Sequence, residues 1–167
     1  MPTQTNISSQ NASIATIGKN IVQLDSVDST NTHAMKQIQA KLAEHGTVYF
    51  ALEQTAGKGQ KGKKWQTNKG ENILISAVIN ASQLGLHQQF YISVVAALAT
   101  YDLLKKYISK YVTIKWPNDV YINDSKAAGI LIENKLKGSK WQWCVVGIGV
   151  NINQTTFASG ITNPTSL

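Results

Sequence analysis

Four short apolar segments in the second half of the chain constrain the fold more than any other feature of the sequence. The segments "VTIKW", "VYIND", "AAGILIENK" and "WQWCVVGIGVNIN" have the length and composition of β-strands. Asn123-Asp124 separates the second segment from the third, and Lys137-Gly138-Ser139 separates the third from the fourth. Both linkers are typical of hairpin turns. Consecutive hairpins predict antiparallel pairing in this part of the chain.

The first half of the chain alternates strand and helix patterns. "IVQLD" predicts a short strand beginning at Ile21, and Ser29 or Asp28 is a suitable N-cap for a helix over "TNTHAMKQIQAKLAEH". Gly46 follows this segment and is predicted to end the helix, because glycine is favoured just beyond a helix C-terminus. "TVYFALE" (47–53) is then predicted to be a strand.

Two longer segments complete the pattern. "NILISAVIN" (72–80) predicts a buried strand. "HQQFYISVVAALATYDLLKKYI" predicts a long, well-buried helix, because four large apolar residues recur near helical spacing: Phe90, Val94, Leu98 and Ile108. The order of elements predicts an α+β fold with a mixed, mainly antiparallel sheet and helices packed on one face.

The positive charge of the chain is concentrated in one loop. The formal net charge is +7, and five lysines lie between Gln54 and Gly70, where there is no acidic residue: Lys58, Lys61, Lys63, Lys64 and Lys69. A loop of this kind predicts an anionic partner. Net charge alone leaves nucleic acid, an acidic surface and a phosphorylated small molecule open.

Length and composition predict one cytoplasmic globular domain. The chain has 167 residues, of which 43% are apolar, and this suits a single core. Residues 1–18 are polar and aperiodic, so we expect a mobile tail followed by a domain over 19–167. No signal-peptide or membrane-spanning pattern is present. Cys144 is the only cysteine, which excludes an internal disulfide and favours a reducing compartment.

The glycine loop "GKGQKGKKW" (57–65) nearly matches two phosphate-binding motifs. G-x-G-x-x-G and the P-loop both require a strand before the glycines and a helix after them. Here a polar, turn-rich stretch follows, and Lys64 occupies the position where a P-loop has Ser or Thr. Neither motif is therefore assigned. Trp65 can be a core residue or can stack on a base, and with backbone N–H groups and lysines the loop would suit adenine and phosphates.

Polar residues at the ends of predicted elements are further candidates for ligand binding. Ser29, Thr30 and Asn31 in "DSTN" either hold neutral polar atoms of a ligand or simply cap a helix. Gln54 offers both a donor and an acceptor at the end of an apolar strand. Such positions are where a rigid scaffold usually presents binding groups.

A second group of candidates surrounds "KWPND" and "KAAGILIE". Lys126 at the start of a strand either binds a carboxylate or is an ordinary surface lysine. Pro117 fixes a turn beside Asn118 and Asp119. Asp119 is a candidate to bind Mg²⁺ or to orient a lysine.

Five motifs taken together give the chain a family resemblance. "DSTN", "EQTAGKGQKGKKW", "KWPND", "KAAGILIE" and "GIGVNIN", in this order and at these separations, resemble the biotin protein ligases over about residues 21–167. The resemblance implies a catalytic domain like that of class II aminoacyl-tRNA synthetases. It also implies that biotin and ATP form biotinyl-5′-adenylate and pyrophosphate, with Mg²⁺, before biotin passes to one lysine of a biotin carboxyl carrier domain.

The resemblance also implies roles for individual residues. Biotin would be held by Ser29, Thr30, Asn31, Gln54, Lys58, Gly59, Gln60, Lys126 and Gly129. The ureido ring would meet the first four of these residues, and the carboxylate would meet Lys126 and the Gly129 region. ATP or its adenylate would contact Lys58, Lys61, Trp65, Asn118 and Asn151. Lys126 and Asp119 would be catalytic, with Asp119 also the candidate for Mg²⁺.

The sequence departs from the family pattern in ways that carry their own expectations. The family commonly has arginines in the glycine loop where this chain has Lys58 and Gln60. No winged-helix segment is seen ahead of the catalytic region, so no DNA partner is implied. The family normally continues past "NPTSL" into another helix and a small β-domain, so the chain is expected to be a shortened form. The expected partner is the carrier protein of acetyl-CoA carboxylase or a similar carboxylase, and a homodimer is left open.

Three alternatives to a working biotin ligase remain at this point. A lipoate ligase shares the fold and reaction type but usually lacks the glycine loop with its Trp and the "KWPND" motif. A nucleic-acid-binding module would use the lysines and Trp65 as an electrostatic and stacking surface. A shortened chain would bind biotin or the adenylate without useful ligase activity.

Overall fold

The structure is a computed structural model that describes residues 17–109, 111–161 and 163–167. The predicted mobile tail lies outside the described residues, apart from its last two positions. The described α-helices and strands are, in chain order, β1 (Ile21–Val27), α1 (Thr30–Gln39), β2 (Val48–Gln54), β3 (Asn72–Asn80), α2 (Gln89–Tyr107), β4 (Val112–Lys115), β5 (Asp119–Ile122), β6 (Ser125–Lys137) and β7 (Lys140–Asn151). None of the described helices combines the length and the apolar composition of a membrane span.

All of these strands join one sheet in the order β1-β2-β3-β7-β6-β5-β4. β1 and β2 are parallel, and every other neighbouring pair is antiparallel. The predicted α+β fold with a mixed, mainly antiparallel sheet is confirmed. Both predicted hairpin turns are present, with Asn123 at φ 52° and Gly138 at φ 58°, in the left-handed region that such turns require.

The two helices pack on opposite faces of the sheet, whereas the sequence analysis placed them on one face. Ala34 of α1 packs in a cluster with Val145 of β7, and Ala97 of α2 packs in another with Cys144 and Val146. Successive side chains of a strand point to opposite faces of the sheet. Val145 therefore lies in a core on one face, and Cys144 and Val146 lie in a core on the other. The strongly apolar composition of β7 reflects this burial on both faces.

Helix α1 ends six residues before the predicted position. Its last residue is Gln39, and Lys41 then adopts φ 60°. The Lys41 N–H donates to Ile38 O and the Leu42 N–H donates to Gln37 O, which is the hydrogen-bond pattern of a Schellman motif. A lysine therefore takes the left-handed position that glycine usually occupies. Gly46, predicted to end the helix, lies instead in the turn before β2.

Helix α2 is less buried than predicted. Its buried residues are mostly small, namely Ala96, Ala97, Thr100 and Leu104. Phe90 and Leu98, two of the four residues predicted to form its buried stripe, are 56% and 48% exposed. The helix packs on the sheet through its alanines, because small residues allow it to lie close to β6 and β7. Large apolar residues remain on the outer side.

The segment after β7 is attached to the sheet by hydrogen bonds. The Lys126 N–H donates to Asn163 O, and the Thr165 N–H donates to Lys126 O. Asn151 Nδ2 donates to Thr165 O at 3.0 Å. These bonds attach residues 163–165 to the start of β6, beside the site described next.

Candidate functional site

A cleft opens on the face of the sheet that carries α1. Its walls are the N-terminus of α1, the end of β2, the glycine loop (57–65) and the middle of β6 and β7. Most of the site residues expected from the sequence line it together: Ser29, Thr30, Asn31, Gln54, Lys58, Gly59, Gln60, Trp65, Asn118, Lys126 and Gly129. Residues from distant parts of the chain thus converge on one surface.

Buried hydrogen bonds organise one end of the cleft. Gln54 Oε1 accepts from the Thr30 backbone N–H at 2.8 Å and lies 3.0 Å from Thr30 Oγ1. Ser76 Oγ lies 2.8 Å from Thr30 Oγ1 and 2.6 Å from Asn31 Oδ1. Asn31 Nδ2 donates to Leu131 O at 3.2 Å and to Glu133 Oε2 at 2.8 Å. Thr30, Asn31 and Ser76 are all buried.

The direction of each hydrogen bond at this polar end can be worked out from its neighbours. Asn31 Nδ2 faces two groups that only accept, so Asn31 Oδ1 must accept the single hydroxyl proton of Ser76. Thr30 must then donate its own proton to Ser76 Oγ or to Gln54 Oε1. In both cases Thr30 Oγ1 offers only lone pairs to the cleft, while Gln54 Nε2 keeps its N–H groups for a ligand.

This polar end is therefore complementary to a neutral group that combines an N–H donor with a carbonyl acceptor. Ser29, which is 2% exposed, adds a hydroxyl at the N-terminus of α1. A hydrogen bond left unmade in such a buried place would cost about 1–3 kcal/mol, so the match discriminates among ligands. A urea or a similar cyclic amide fits the pattern.

The floor of the cleft is made of glycine backbone covered by Trp65. A Cβ added at Gly129 would lie 2.8 Å from the Trp65 ring, and one added at Gly149 would lie 2.6 Å from its Nε1. Real Cβ atoms do not approach other atoms so closely, so this packing requires glycine at both positions. The indole forms a flat apolar wall, and its Nε1 is buried without a hydrogen-bond partner among the described residues.

A cation lies at the other end of the Trp65 wall. Lys126 Nζ is 2.6 Å from Asp119 Oδ1 and 5.6 Å from the centre of the Trp65 ring. Both charged side chains are largely buried, with 27% and 20% of their surface exposed. Asp119 pairs directly with Gly129 in the sheet, which places the carboxylate beside the start of β6. Lys126 is thus oriented by Asp119 and has further N–H groups for an anionic ligand.

The glycine loop folds as a compact turn that is closed by its own backbone. The Gly59 N–H donates to Lys63 O at 2.7 Å, and the Trp65 N–H donates to Gly57 O at 2.9 Å. Lys61 and Gly62 have φ values of 54° and 75°. No α-helix follows the loop before β3 in the part of the chain that the structure describes. The rejection of a P-loop and of a dinucleotide-binding motif is confirmed.

Charged groups stabilise the N-terminus of α1 and the position of the glycine loop. The backbone N–H of Ser29 donates to Asp28 at 2.7 Å and, together with Lys36, lowers the pKa of the Asp28 carboxyl. Lys58 Nζ lies 3.5 Å from Glu133 Oε1, so the loop is attached to β6 by a weak ion pair. Lys58, Lys126 and the loop backbone together make this side of the cleft suitable for anions.

Some expected site residues lie apart from the cleft walls. Lys61 is exposed on the loop, and Asn151 is buried with its amide donating to Thr165 O. Asp119 reaches the site only through Lys126. Ser76 and Glu133 belong to the site although the sequence analysis did not select them. Ser76 is hidden in an apolar strand, and Glu133 in a motif that was read for its lysine.

The site offers little to a metal ion by itself. Among the described residues there is no group of three or more His, Cys, Asp or Glu side chains placed to hold one. Asp119 is a single carboxylate that is already paired with Lys126. Mg²⁺ commonly binds through one or two carboxylates plus substrate phosphates. These residues therefore fit Mg²⁺ that is bound together with substrate phosphates. They do not fit a metal ion held by the protein alone.

Comparison with known proteins agrees with the geometry. The model of the biotin/lipoate A/B protein ligase family matches residues 24–151. The chain belongs to this family. A biotin–[acetyl-CoA-carboxylase] ligase of Paracoccus denitrificans is 39% identical over 127 residues, which cover 75% of this chain and 51% of the relative. The bifunctional ligase/repressor BirA of Escherichia coli is 31% identical over 146 residues, covering 87% and 44%.

A solved structure of the biotin/lipoate ligase family has the same fold. The biotin protein ligase from Aquifex aeolicus, in complex with biotin and ATP, superimposes with a TM-score of 0.72 and 29% identity. The match covers 89% of this chain and 59% of that protein. The family recognised from five motifs, and its fold, are confirmed. The chain spans about half the length of the relatives that it matches.

Proposed function

We propose that this chain carries the catalytic cleft of an ATP-dependent biotin protein ligase. The observation that carries the proposal is the division of the cleft into a neutral polar end and a cationic end, separated by the Trp65 wall. Biotin has the same division, with a cyclic urea at one end and a carboxylate at the other. Relatives named as biotin ligases support the assignment.

The urea would be recognised at the polar end. Thr30 Oγ1 can accept from a ureido N–H, and Gln54 Nε2 and Ser29 can donate to its carbonyl oxygen. Asn31 would hold Ser76 and Thr30 in place. The apolar body of the ligand would lie along the glycines and Trp65, where Gly59 and Gln60 of the loop complete the wall.

The carboxylate would reach Lys126 and the backbone near Gly129. Its oxygen attacks the α-phosphorus of ATP, the bond from that phosphorus to the bridging oxygen breaks, and pyrophosphate leaves. Both reacting groups are negative, so Lys126, Lys58 and Lys61 would lower their repulsion. Trp65, Asn118 and Asn151 are proposed to contact the adenylate. Mg²⁺ would shield the phosphates, with Asp119 as its proposed carboxylate ligand.

Transfer would complete the reaction. The neutral amine of a carrier lysine attacks the carbonyl carbon of the adenylate, AMP leaves, and a proton is released. A carrier domain of a biotin-dependent carboxylase is the proposed acceptor, which is supported by relatives named as ligases of acetyl-CoA carboxylase. Closure of the glycine loop would keep water from the mixed anhydride.

A calorimetric titration with biotin at two salt concentrations tests this function. Biotin recognition that relies mostly on neutral hydrogen bonds and packing should give a Kd that changes little between 50 and 200 mM salt. A nucleic-acid module would instead bind a single-stranded oligonucleotide with an affinity that falls steeply with salt. Binding of lipoate rather than biotin would favour the lipoate ligase branch. Absence of biotin binding would overturn the proposal.

A further inference from the structure

Glu133 lies beside the cleft, and no step of the proposed reaction uses it. One carboxylate oxygen accepts from Asn31 Nδ2 at 2.8 Å, and the other lies 3.5 Å from Lys58 Nζ. Glu133 is placed by β6, where it pairs with Val145 of β7. A single carboxylate therefore touches both the polar end of the cleft and the glycine loop.

We propose that Glu133 is a positioning residue for biotin recognition, an inference that rests on the proposed function. It fixes the orientation of the Asn31 amide, and through Asn31 and Ser76 it sets the direction in which Thr30 donates. With its second oxygen it holds Lys58, and with Lys58 the glycine loop, before a ligand is bound.

The carboxylate sets the hydrogen-bond direction because it can only accept. It requires the Asn31 amino group on its side, so the Asn31 carbonyl faces Ser76 and takes the Ser76 proton. Without Glu133, only Leu131 O, at 3.2 Å, favours this orientation of the amide. A reversed amide would make Ser76 donate to Thr30, which occupies one of the two Thr30 lone pairs. Thr30 could then direct its own proton only to Gln54 or into the cleft, where it would oppose the ureido N–H.

The pair with Lys58 is a separate part of the proposal. Both side chains are partly exposed, at 46% for Lys58 and 32% for Glu133, so the ion pair itself adds little to stability. Its effect is on the position of the loop. Lys58 keeps further N–H groups, so it can remain near Glu133 and still face an anion.

Two substitutions separate these parts. Glu133→Ala removes both contacts, whereas Glu133→Gln keeps an acceptor for Asn31 and removes the charge that holds Lys58. Glu44→Gln, at an exposed position outside the cleft, is the matched control for loss of one negative charge. Glu133→Gln also preserves side-chain volume, so it carries the test if the alanine variant does not fold.

The first measurement is calorimetric titration of each purified full chain with biotin. Glu133→Ala should raise the Kd for biotin about tenfold or more, as expected when a hydrogen bond to a charged group is lost. Glu133→Gln should lie between Glu133→Ala and the wild type. A merely structural role would lower the fraction of molecules that bind, seen in the stoichiometry, and leave the Kd of the remainder unchanged.

The second measurement is limited trypsin digestion without ligand, with cleavage mapped by mass spectrometry. Both Glu133 variants should be cut several times faster after the lysines of the glycine loop than the wild type or Glu44→Gln. The two measurements together distinguish the possible failures. If the wild type binds biotin but Glu133→Ala keeps its Kd within twofold, or loop cleavage is unchanged, the role of Glu133 is wrong. If the wild type does not bind biotin, the proposed function falls, and this inference falls with it.

Discussion

At the residue scale, the shape of the cleft depends on two glycines. Gly129 and Gly149 have no side chains, so the Trp65 indole can lie directly on the sheet. A buried contact of this kind excludes any larger residue unless the ring moves. The two glycines therefore determine where the apolar wall stands between the polar end and Lys126.

Gly149→Ala should displace Trp65 and weaken biotin binding by about tenfold, because the new methyl would lie 2.6 Å from the indole nitrogen. Titration of biotin measures the loss. In a Trp65→Ala background the same change should cost far less, since the clashing ring is gone. Equal losses in both backgrounds would show that Gly149 acts independently of Trp65.

Gln60 is the residue at which the glycine loop departs most from the arginine-containing pattern expected from the resemblance to biotin protein ligases. A glutamine provides neither the charge nor the bidentate fork of arginine. Gln60→Arg is therefore expected to slow release of biotinyl-5′-adenylate severalfold, measured by rapid filtration after single-turnover synthesis. Release from the variant that is as fast as, or faster than, release from the wild type would contradict this expectation.

At the element scale, helix α1 presents the polar end of the cleft and carries a partly buried histidine. His33 lies on this helix with its ring 4.9 Å from that of Tyr49. Burial lowers the pKa of His33 below its usual value of 6.5. The unfolded chain therefore binds a proton at higher pH than the folded chain, and stability falls as the pH drops through and below 6.5.

Urea unfolding between pH 7.5 and 5 should show this dependence. The free energy of unfolding should decrease toward acid pH in the wild type, and the decrease should be smaller in His33→Gln, which has no proton to gain. Identical slopes for the two proteins across this range would mean that His33 does not cause the effect.

The elements were predictable from sequence to different degrees, for physical reasons. Asn123 and Gly138 tolerate the left-handed backbone of hairpin turns, so both hairpins were found. Lys41 adopts the same backbone region without the usual preference for it, so the end of α1 was missed. Local patterns also cannot reveal the face on which each helix packs, because β7 is apolar on both sides.

The site was predictable where its residues form compact motifs. Ser29, Thr30, Gln54 and Lys126 stand at the ends of elements and were selected from the sequence. Ser76 was missed because a single serine in an apolar strand gives no signal of its own. Its role depends on Thr30 and Asn31, which are more than forty residues away in sequence.

At the scale of the whole molecule, the sheet separates the cleft on one face from the core beneath α2 on the other. Cys144 belongs to that second core and is fully buried. Burial raises the pKa of its thiol to about 12, so the reactive thiolate is scarce at neutral pH. The cysteine therefore has no part in the proposed chemistry.

Native protein should resist alkylation of Cys144 by iodoacetamide at pH 8, and the denatured chain should be labelled fully within the same time. Mass spectrometry gives the labelled fraction directly. Rapid labelling of the native protein would show that the core beneath α2 opens readily, in contrast to the packing described.

In the proposed function, one cleft holds biotin at both ends and activates its carboxylate. The most direct test is to incubate the purified chain with biotin and Mg-ATP, detect biotinyl-5′-adenylate by mass spectrometry, and measure pyrophosphate by a coupled assay. We expect both products from the wild type, near-complete loss in Lys126→Ala, and full retention in Lys135→Ala, a lysine outside the cleft on the same strand. If a folded wild-type chain forms neither product, or if Lys126→Ala synthesises the adenylate at the wild-type rate, the cleft does not activate biotin in the proposed way.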